Sequence, residues 1–298
     1  MTDQATKLRE LISKKKLVSK KTLKDENIPQ KKARVICVTS GKGGVGKTNF
    51  TANLAIALQK KDKKVVIIDA DLGLANLDVV LGVIPKYTLL DVLNKGKNIT
   101  EIMNNGPSGV QTVSGGSGII DLVDISKEKL DTLISQFNKI NDYADIILID
   151  TGAGLSKSVL SFVLSADEVI IVTTAEPTSL TDAYAMIKAI GMQEKDKNIR
   201  VVINQVESIN EGKATFEKLK NACEKFLGKN IEKLGFLSRD ANVTKAVKLQ
   251  KPFILQFPNT AASKNIEVIA LKLSNGNIED EGFNESNNFI SKIISLFR

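Results

Sequence analysis

Histidine is absent from this 298-residue chain, and cysteine occurs twice. The chain therefore lacks the side chain that most often serves as a general base near neutral pH and as a metal ligand. Hydrolytic chemistry would have to depend on carboxylates, lysines and a bound cation such as Mg²⁺. Cys37 falls in a predicted core strand and Cys223 in a predicted helix, so we interpret both as structural residues and not as ligands or disulfide partners.

Long apolar runs are also missing. No run approaches the roughly 18 residues that cross a bilayer, and the N-terminus, with Asp3 and Glu10 among its first ten residues, lacks the apolar core of a secretion signal. The content of 42% hydrophobic and 26% charged residues is that of a globular protein with a full core. We expect a cytoplasmic protein.

Basic charge is concentrated at one end of the chain. Residues 1–34, the leader, hold eleven Lys/Arg and four Asp/Glu, whereas the rest of the chain holds 31 and 30. A nearly neutral body argues against a domain with a uniformly basic DNA-binding surface. The leader could by itself contact an acidic partner, nucleic acid or lipid headgroups.

The sequence GKGGVGKT at residues 41–48 completes the phosphate-loop pattern. An apolar run precedes it and a helical pattern follows, which is the strand-loop-helix setting that the motif requires. Backbone N–H groups would bind phosphate, Lys47 would reach the outer phosphates and the Thr48 hydroxyl would ligate Mg²⁺. The nucleoside triphosphate site is predicted to comprise Gly41, Lys42, Gly43, Gly44, Val45, Gly46, Lys47, Thr48 and Asn49.

Short β-branched runs alternate with helical patterns from residue 35 onward. This alternation predicts an α/β fold with a doubly wound, mostly parallel sheet flanked by helices, in the order β-α-β throughout. Several runs are apolar at successive positions, as expected for strands buried on both faces. The predicted strands are residues 35–39, 65–69, 110–113, 146–150, 169–173, 201–204 and 234–237.

Acidic residues end two of these strands, at the edge of the sheet where an α/β fold binds nucleotide. We expect Asp150 to hold Mg²⁺ through water, as the acid after an apolar strand does in phosphate-loop enzymes. Asp71 is the better candidate to orient the attacking water, and Asp69 would support the metal or the backbone. Any one of these carboxylates could instead cap a helix or a turn.

Two segments flank the predicted core and divide the chain into residues 1–34, 35–275 and 276–298. The leader begins with a short helical pattern and continues as a lysine-rich tether. The tail is an amphipathic pattern with an arc of apolar residues opposite Lys292 and Arg298. That arc contains Phe289, Ile290, Ile293, Ile294, Leu296 and Phe297.

Three motifs together resemble those of the MinD/ParA ATPases: GKGGVGKT at residues 41–48, DADLGLANLD at 69–78 and DTGAG at 150–154. The resemblance covers roughly residues 35–275. It implies ATP and Mg²⁺ as cofactors and a homodimer closed around two nucleotides, with Lys42 as the signature lysine that crosses to the partner's phosphates. It also implies that Asn204 reads adenine and that residues 235–243 form a base-contacting loop.

The ends of the chain resemble one branch of that family, the flagellar regulators known as FlhG, YlxH or FleN. The leader sequence DQATKLR at residues 3–9 is similar to their DQAxxLR element. The resemblance implies that Gln4, Leu8 and Arg9 stimulate a partner GTPase of the FlhF type. It further implies contacts with flagellar C-ring components, and an amphipathic tail that docks on anionic lipid at the inner face of the cell membrane in the ATP dimer.

Other interpretations remain open at this stage. A ParA-type partition ATPase would share the core but should have a basic surface for DNA, and we expect no specific nucleic acid partner. A nucleotide-gated scaffold with negligible turnover would share every motif. The tail could be a closing core helix, Lys42 a solvated loop lysine, and the leader a basic segment that binds nothing in particular.

Overall fold

Strands and helices alternate along the chain in the computed structural model, which describes residues 33–71, 76–115 and 127–274. The predicted activator residues Gln4, Leu8 and Arg9 lie outside the described residues. So do the predicted membrane residues Phe289, Ile290, Ile293, Ile294 and Phe297, and residues 72–75 of the second acidic motif.

One sheet of eight strands forms the centre of the described structure, in the order β3-β4-β2-β5-β1-β6-β7-β8. Neighbouring strands run parallel apart from β3 and β4, which are antiparallel. All seven strands predicted from the sequence are present, so the predicted fold class is confirmed. The strands are β1 Arg34–Ser40, β2 Val65–Ala70, β3 Asn104–Asn105, β4 Gln111–Ser114, β5 Ile146–Ala153, β6 Glu168–Thr174, β7 Asn198–Val206 and β8 Glu232–Ser238.

Helices pack on both faces of this sheet. One face carries α1 Lys47–Gln59, α2 Asn76–Leu81, α9 Ala241–Lys248, α10 Phe253–Gln256 and α11 Ala261–Ser274. The other carries α3 Leu89–Lys95, α4 Ile99–Ile102, α5 Lys127–Tyr143, α6 Lys157–Ser165, α7 Pro177–Gln193 and α8 Ile209–Leu227. Within the described residues, no helix is long and apolar enough to cross a membrane.

Successive residues of each central strand point into different cores. In β1, Val35 and Cys37 pack under the second group of helices, whereas Ile36 and Val38 pack under the first. All four are at most 3% exposed. A strand buried on both faces needs apolar residues at every position, which explains why the sequence lacks alternation there. Full burial of each aliphatic side chain is worth about 1.5–3 kcal/mol.

The expectation of a β-α-β order throughout is wrong at one edge of the sheet. There β3 pairs antiparallel with β4 through Asn104 and Asn105, and a 3₁₀ turn, Pro107–Gly109, joins the two strands. Ser108 and Gly109 have positive φ angles of 59° and 86°. Two polar residues carry no apolar periodicity, so the pattern that revealed the buried strands could not reveal this one. The same turn makes β4 begin at Gln111 and not at Val110.

The order of the strands determines where chemistry can occur. β1 lies between β5 and β6, and β2 borders β5 on the other side. The loops that follow β1, β2, β5 and β6 therefore meet at one edge of the sheet. Ligands of open α/β sheets bind in the crevice at this carboxyl edge.

Candidate nucleotide-binding site

The phosphate loop joins β1 to α1. Gly44 and Gly46 have φ angles of 80° and 87°, a left-handed conformation that costs glycine little and other residues more. Gly46 is the N-cap of α1 and supplies no side-chain cap, and the described first turn contains no acidic residue. The N–H groups at this helix end therefore present a positive potential that suits an anion.

Asn204, two residues before the end of β7, holds the phosphate loop in place. Its Nδ2 donates to the carbonyl of Val45 at 2.7 Å, and its Oδ1 accepts the backbone N–H of Gln205 at 2.8 Å. A Cβ at Gly46 would lie 2.4 Å from the same Nδ2. A side chain at Gly46 would therefore have to displace the Asn204 amide, in addition to the strain of the positive φ angle. An amide nitrogen carries two N–H groups, so the predicted adenine contact is compatible with this role and stays a prediction.

Lys47 and Asp150 form a buried ion pair beneath the loop. The distance from Lys47 Nζ to Asp150 Oδ1 is 2.9 Å, and the two side chains are 8% and 1% exposed. Thr51 donates its hydroxyl to the same Oδ1 at 2.9 Å, and the Thr48 hydroxyl lies 3.5 Å from Lys47 Nζ. Sequence reasoning missed Thr51, although its spacing of four residues from Lys47 places both on one face of α1.

Asp69 is a second buried carboxylate, directly opposite Asp150 in the pairing of β2 with β5. Its Oδ1 accepts the N–H of Asp71 at 3.0 Å. Burial, and after it the charge of Asp150, raise the pKa of Asp69 to about 7 in spite of the opposing Asp71 hydrogen bond. Two neighbouring buried carboxylates cannot both be charged unless a cation lies beside them or one of them binds a proton. Lys47 supplies one positive charge for the two.

Each of the two buried carboxylates has one oxygen that could still ligate a cation. Asp69 Oδ2 and Asp150 Oδ2 are buried without a hydrogen-bond partner in the described structure. Among the described residues, no group of three or more His, Cys, Asp or Glu could hold a metal alone. Mg²⁺ in nucleotide sites takes one or two carboxylates and completes its shell with phosphate and water oxygens. The predicted set of Thr48, Asp69 and Asp150 therefore fits Mg²⁺ that arrives with nucleotide.

Asp71 follows β2 and faces the loop after Asp150. A Cβ built on Gly152 would lie 3.7 Å from Asp71 Oδ1. Gly154, with a φ angle of 87°, donates its N–H to the carbonyl of Ser40 at 2.9 Å, so this loop closes onto the start of the phosphate loop. The structure thus brings Asp71 and the DTGAG motif together, as the sequence predicted. β5 continues to Ala153, so Asp150 lies before the strand end and not at it.

The side chain of Lys42 contacts the start of α7. Its Nζ lies 3.0 Å from Glu176 Oε2 and donates to Thr178 Oγ1 at 2.9 Å. Gly41 packs so tightly on the same helix that a Cβ there would lie 2.3 Å from the carbonyl of Asp182. Sequence reasoning missed Glu176 and Thr178, since their proximity to Lys42 arises from packing of the loops after β1 and β6.

A cavity of about 550 Å³ opens beside Gly44, Gly46 and Asn49. Asn204 and Gln205 line one wall and residues 237–241, 243–244 and 247 another. Its size lies within the range of small-ligand sites. The predicted base-contacting residues 235–243 thus border the phosphate loop, but they are not one loop, because residues up to Ser238 belong to β8 and residues from Ala241 to α9. Gly235 does not line the cavity, and a Cβ there would meet Ile269 at 2.6 Å.

Both cysteines are buried and unpaired. Burial raises the pKa of the Cys37 thiol far above its ordinary value and that of Cys223 to about 11. A thiol is a metal ligand or nucleophile as the thiolate, which these surroundings disfavour. Their positions in β1 and α8 agree with the structural role expected for them.

Comparisons with known proteins give one family. The model described as "ParA: NUBPL iron-transfer P-loop NTPase" matches residues 31–274. The antiactivator FleN of Pseudomonas aeruginosa is 42% identical over 240 residues, which are 80% of this chain and 86% of FleN. The flagellum site-determining protein YlxH of Helicobacter pylori is 38% identical over 252 residues, 83% of this chain and 85% of YlxH.

Solved structures agree with these sequence relatives. The MinC:MinD cell division protein complex of Aquifex aeolicus has a chain with a TM-score of 0.66 and 29% identity, which covers 85% of this chain and 100% of its own. MinD of Pyrococcus horikoshii, complexed with Mg-ADP, has a TM-score of 0.65 and 25% identity, over 81% and 96% of the two chains.

Proposed function

The chain belongs to the ParA/MinD family of P-loop ATPases, and on that basis we propose that it is a nucleotide-switched dimer that regulates flagellar number and placement. It cycles between a monomer in the cytoplasm and a dimer at the membrane. ATP with Mg²⁺ closes the dimer and hydrolysis opens it. The observation that carries the proposal is the separation of two loop lysines, Lys47 buried on Asp150 and Lys42 held at the surface.

Each residue of the site has a distinct task in this cycle. The N-terminus of α1 and Lys47 hold the phosphates, and Asn204 keeps the loop in register for them. Thr48, Asp69 and Asp150 would hold Mg²⁺, which would supply positive charge beside the phosphates. Asp71, close to the Gly152 backbone, orients the attacking water.

Lys42 links hydrolysis to association. It enters the phosphate site of the partner subunit, so its positive charge stabilises the transferring phosphate in the dimer and not in the monomer. A charge supplied in this way makes the dimer the hydrolytically active form. It also makes nucleotide state control association, because the coupling between the two is reciprocal.

The flagellar part of the proposal is supported by the relatives and by the ends of the chain. FleN and YlxH are similar to this chain over more than four fifths of their own length. The leader residues Gln4, Leu8 and Arg9 would stimulate a FlhF-type GTPase, and C-ring components would bind the body. The apolar face of the tail, with Phe289 and Phe297, would bind anionic lipid, and two weak anchors in a dimer bind far better than one.

A size measurement tests the switch. The intact chain is incubated with Mg²⁺ and ADP or a slowly hydrolysed ATP analogue, and its mass is determined in solution. We expect a monomer with ADP and a dimer with the analogue. A monomer in both conditions would contradict the switch.

Phosphate release and lipid binding test the two activities proposed for the dimer, ATP hydrolysis and membrane attachment. We expect turnover that increases with anionic vesicles, and co-sedimentation with them that requires residues 286–298. If the analogue gives dimers but ATP gives no phosphate even with lipid, the protein is a nucleotide-gated scaffold. If it binds DNA in place of vesicles, the partition function is favoured.

A further inference from the structure

The turn that joins α1 to β2 lies at the amino edge of the sheet, the edge at which the parallel strands begin. Residues 60–64 of this turn, the basic turn, have the sequence KKDKK. α1 has 13 residues, so at 1.5 Å per residue about 20 Å separate the basic turn from the phosphate loop. Its four lysines are thus not part of the nucleotide site.

The basic turn presents its lysines on a fixed backbone. The N–H of Lys60 continues the hydrogen bonds of α1 by donating to the carbonyl of Ile56 at 3.0 Å, and Asp62 has a positive φ angle of 60°. Lys60 is exposed, and Lys61 and Lys63 are partly exposed. No ion pair between described residues involves these three lysines. Their charges are therefore available to an anionic partner.

The chain leaves the described structure toward the tail at this same edge. α11 ends at Ser274, and the carbonyl of Leu273 accepts a hydrogen bond from Arg34 Nη1 at 2.7 Å. The N–H of Arg34 donates to the carbonyl of Asp145, whose own N–H donates to the carbonyl of Lys64. Neighbouring strands are about 4.8 Å apart, so Lys64 lies two strand spacings, about 10 Å, from Arg34. The root of the tail and the basic turn are thus neighbours.

The leader joins the fold at the amino edge as well. The described structure begins at Ala33, whose N–H donates to Asn141 Oδ1 at 3.0 Å, and β1 begins at Arg34. The leader holds eleven Lys/Arg and four Asp/Glu. Positive charge therefore enters the fold beside the point at which the chain leaves it.

We propose that the basic turn is a second membrane contact, which binds the headgroups of anionic lipids while the tail inserts its apolar face. The proposal rests on the proposed function, because it takes the tail as the membrane anchor. A tail docked on lipid brings its root, and with it the neighbouring basic turn, close to the headgroups. Lysines near a membrane surface are attracted by anionic lipid, so the body of the protein would add selectivity for lipid charge to the insertion of the tail.

Nearby carboxylates limit the strength of this contact. Asp62 lies within the basic turn, and Asp142 and Asp145 lie beside it at the end of α5. Asp145 accepts the backbone N–H of Lys64 at 2.8 Å. Each lysine near an anionic surface contributes roughly fivefold to affinity. Three unopposed charges would give roughly a hundredfold, and with the acids beside them we expect roughly tenfold to thirtyfold.

The first test measures vesicle binding of the full-length protein with Mg²⁺ and ATPγS. The turn variant combines Lys60→Gln, Lys61→Gln and Lys63→Gln, and it keeps Lys64, whose ammonium lies 5.6 Å from the centre of the Tyr143 ring. On vesicles of phosphatidylglycerol and phosphatidylcholine in equal parts, its dissociation constant should be roughly ten- to thirtyfold above that of the wild type. The difference should shrink at high salt.

A matched control removes the same charge elsewhere. It combines Lys213→Gln, Lys218→Gln and Lys264→Gln, three exposed lysines on α8 and α11. Its affinity for the same vesicles should stay within about twofold of the wild type, since distant charges are screened. Equal losses for the turn variant and the control, or no loss for the turn variant, would overturn the proposal.

A tail variant distinguishes this proposal from the proposed function. Full-length protein with Ile293→Glu and Ile294→Glu should lose vesicle binding. If it binds as well as the wild type while the turn variant is weaker, the tail is not the anchor and the contact of the basic turn stands. If the wild type binds no anionic vesicles, both proposals are wrong.

A second test locates the contact directly. The wild-type protein with ATPγS is acetylated with and without anionic vesicles, and the modified peptides are quantified by mass spectrometry. Bound vesicles should slow the acetylation of Lys60 and Lys63 severalfold, whereas Lys213 should react at an unchanged rate. If Lys60 and Lys63 react equally fast on the vesicles and in solution, the basic turn does not contact lipid.

Discussion

Lys42 and Lys47 belong to one loop and form ion pairs of nearly equal length, yet their surroundings differ. Lys47 and Asp150 are 8% and 1% exposed, whereas Lys42 and Glu176 are 39% and 68% exposed. Removal of one partner from a buried pair costs about 3–5 kcal/mol, while an exposed pair contributes about 0–1 kcal/mol. The first lysine is thus part of the fold, and the second can exchange partners.

The largest expected effect is that of Lys47→Ala. It leaves Asp150 and Asp69 buried side by side without their cation, so we expect the free energy of unfolding to fall by about 3–5 kcal/mol. ATP affinity should fall at least about a hundredfold, since the phosphates lose a charge-assisted hydrogen bond. Denaturant unfolding and nucleotide titration measure the two effects. A loss of stability below about 1 kcal/mol would contradict the buried character of this pair.

The pH dependence of stability gives a second test of the buried site, through Asp69. The pKa of Asp69 is raised from 3.8 to about 7, so between these values the folded state keeps a proton that the unfolded chain has lost. Stability must therefore fall as pH rises through this window, by at most about 4 kcal/mol. Without nucleotide and Mg²⁺, Asp69→Asn should be more stable than the wild type by about 2–4 kcal/mol at pH 8.

The control for this prediction is the pH itself. The advantage of Asp69→Asn should shrink toward pH 5, where the wild-type carboxyl is protonated and resembles the amide. Unfolding curves of both proteins at several pH values give the difference directly. A stability difference that is independent of pH would mean that Asp69 titrates normally.

Lys42→Ala should lower the rate of ATP hydrolysis while leaving the stability of the fold nearly unchanged. Its ion pair is exposed, so the free energy of unfolding should change by less than about 1 kcal/mol, and monomeric nucleotide binding should remain. Turnover should fall at least about a hundredfold, because the transferring phosphate loses a preorganised charge. Hydrolysis at the wild-type rate would show that Lys42 has no part in catalysis.

Asn204→Ala is expected to have the smallest effect. The carbonyl of Val45 loses one hydrogen bond, worth about 1 kcal/mol, so ATP affinity should weaken by roughly fivefold to tenfold. Asn105→Ala, at the far edge of the sheet, removes a similar amide without touching the loop and serves as the control. Equal affinities for the two variants would exclude a role of Asn204 in holding the site.

Reasoning from the residues alone located those positions that are determined by neighbouring residues in the sequence. The phosphate loop and Asp150 are positioned by the apolar runs of β1 and β5, whereas Asn204, which lies inside β7, was implied by the family resemblance. Glu176 was missed because its contact with Lys42 joins the loops after β1 and β6. The raised pKa of Asp69 is caused first by burial and then by the charge of Asp150, which is adjacent through the pairing of β2 with β5. The edge strand β3 was missed because two polar residues have no buried face.

The central claim, that Lys42 acts in the partner's site, is tested most directly by mixing two inactive variants. Lys42→Ala keeps Asp71, and Asp71→Ala keeps Lys42, so in a mixed dimer one of the two sites receives Asp71 from its own subunit and Lys42 from the partner. Each variant alone should release almost no phosphate. Mixed as ADP monomers before ATP is added, they should recover roughly a quarter of wild-type turnover, as random pairing of the subunits requires. If the mixture is as inactive as its components, Lys42 does not act across the dimer.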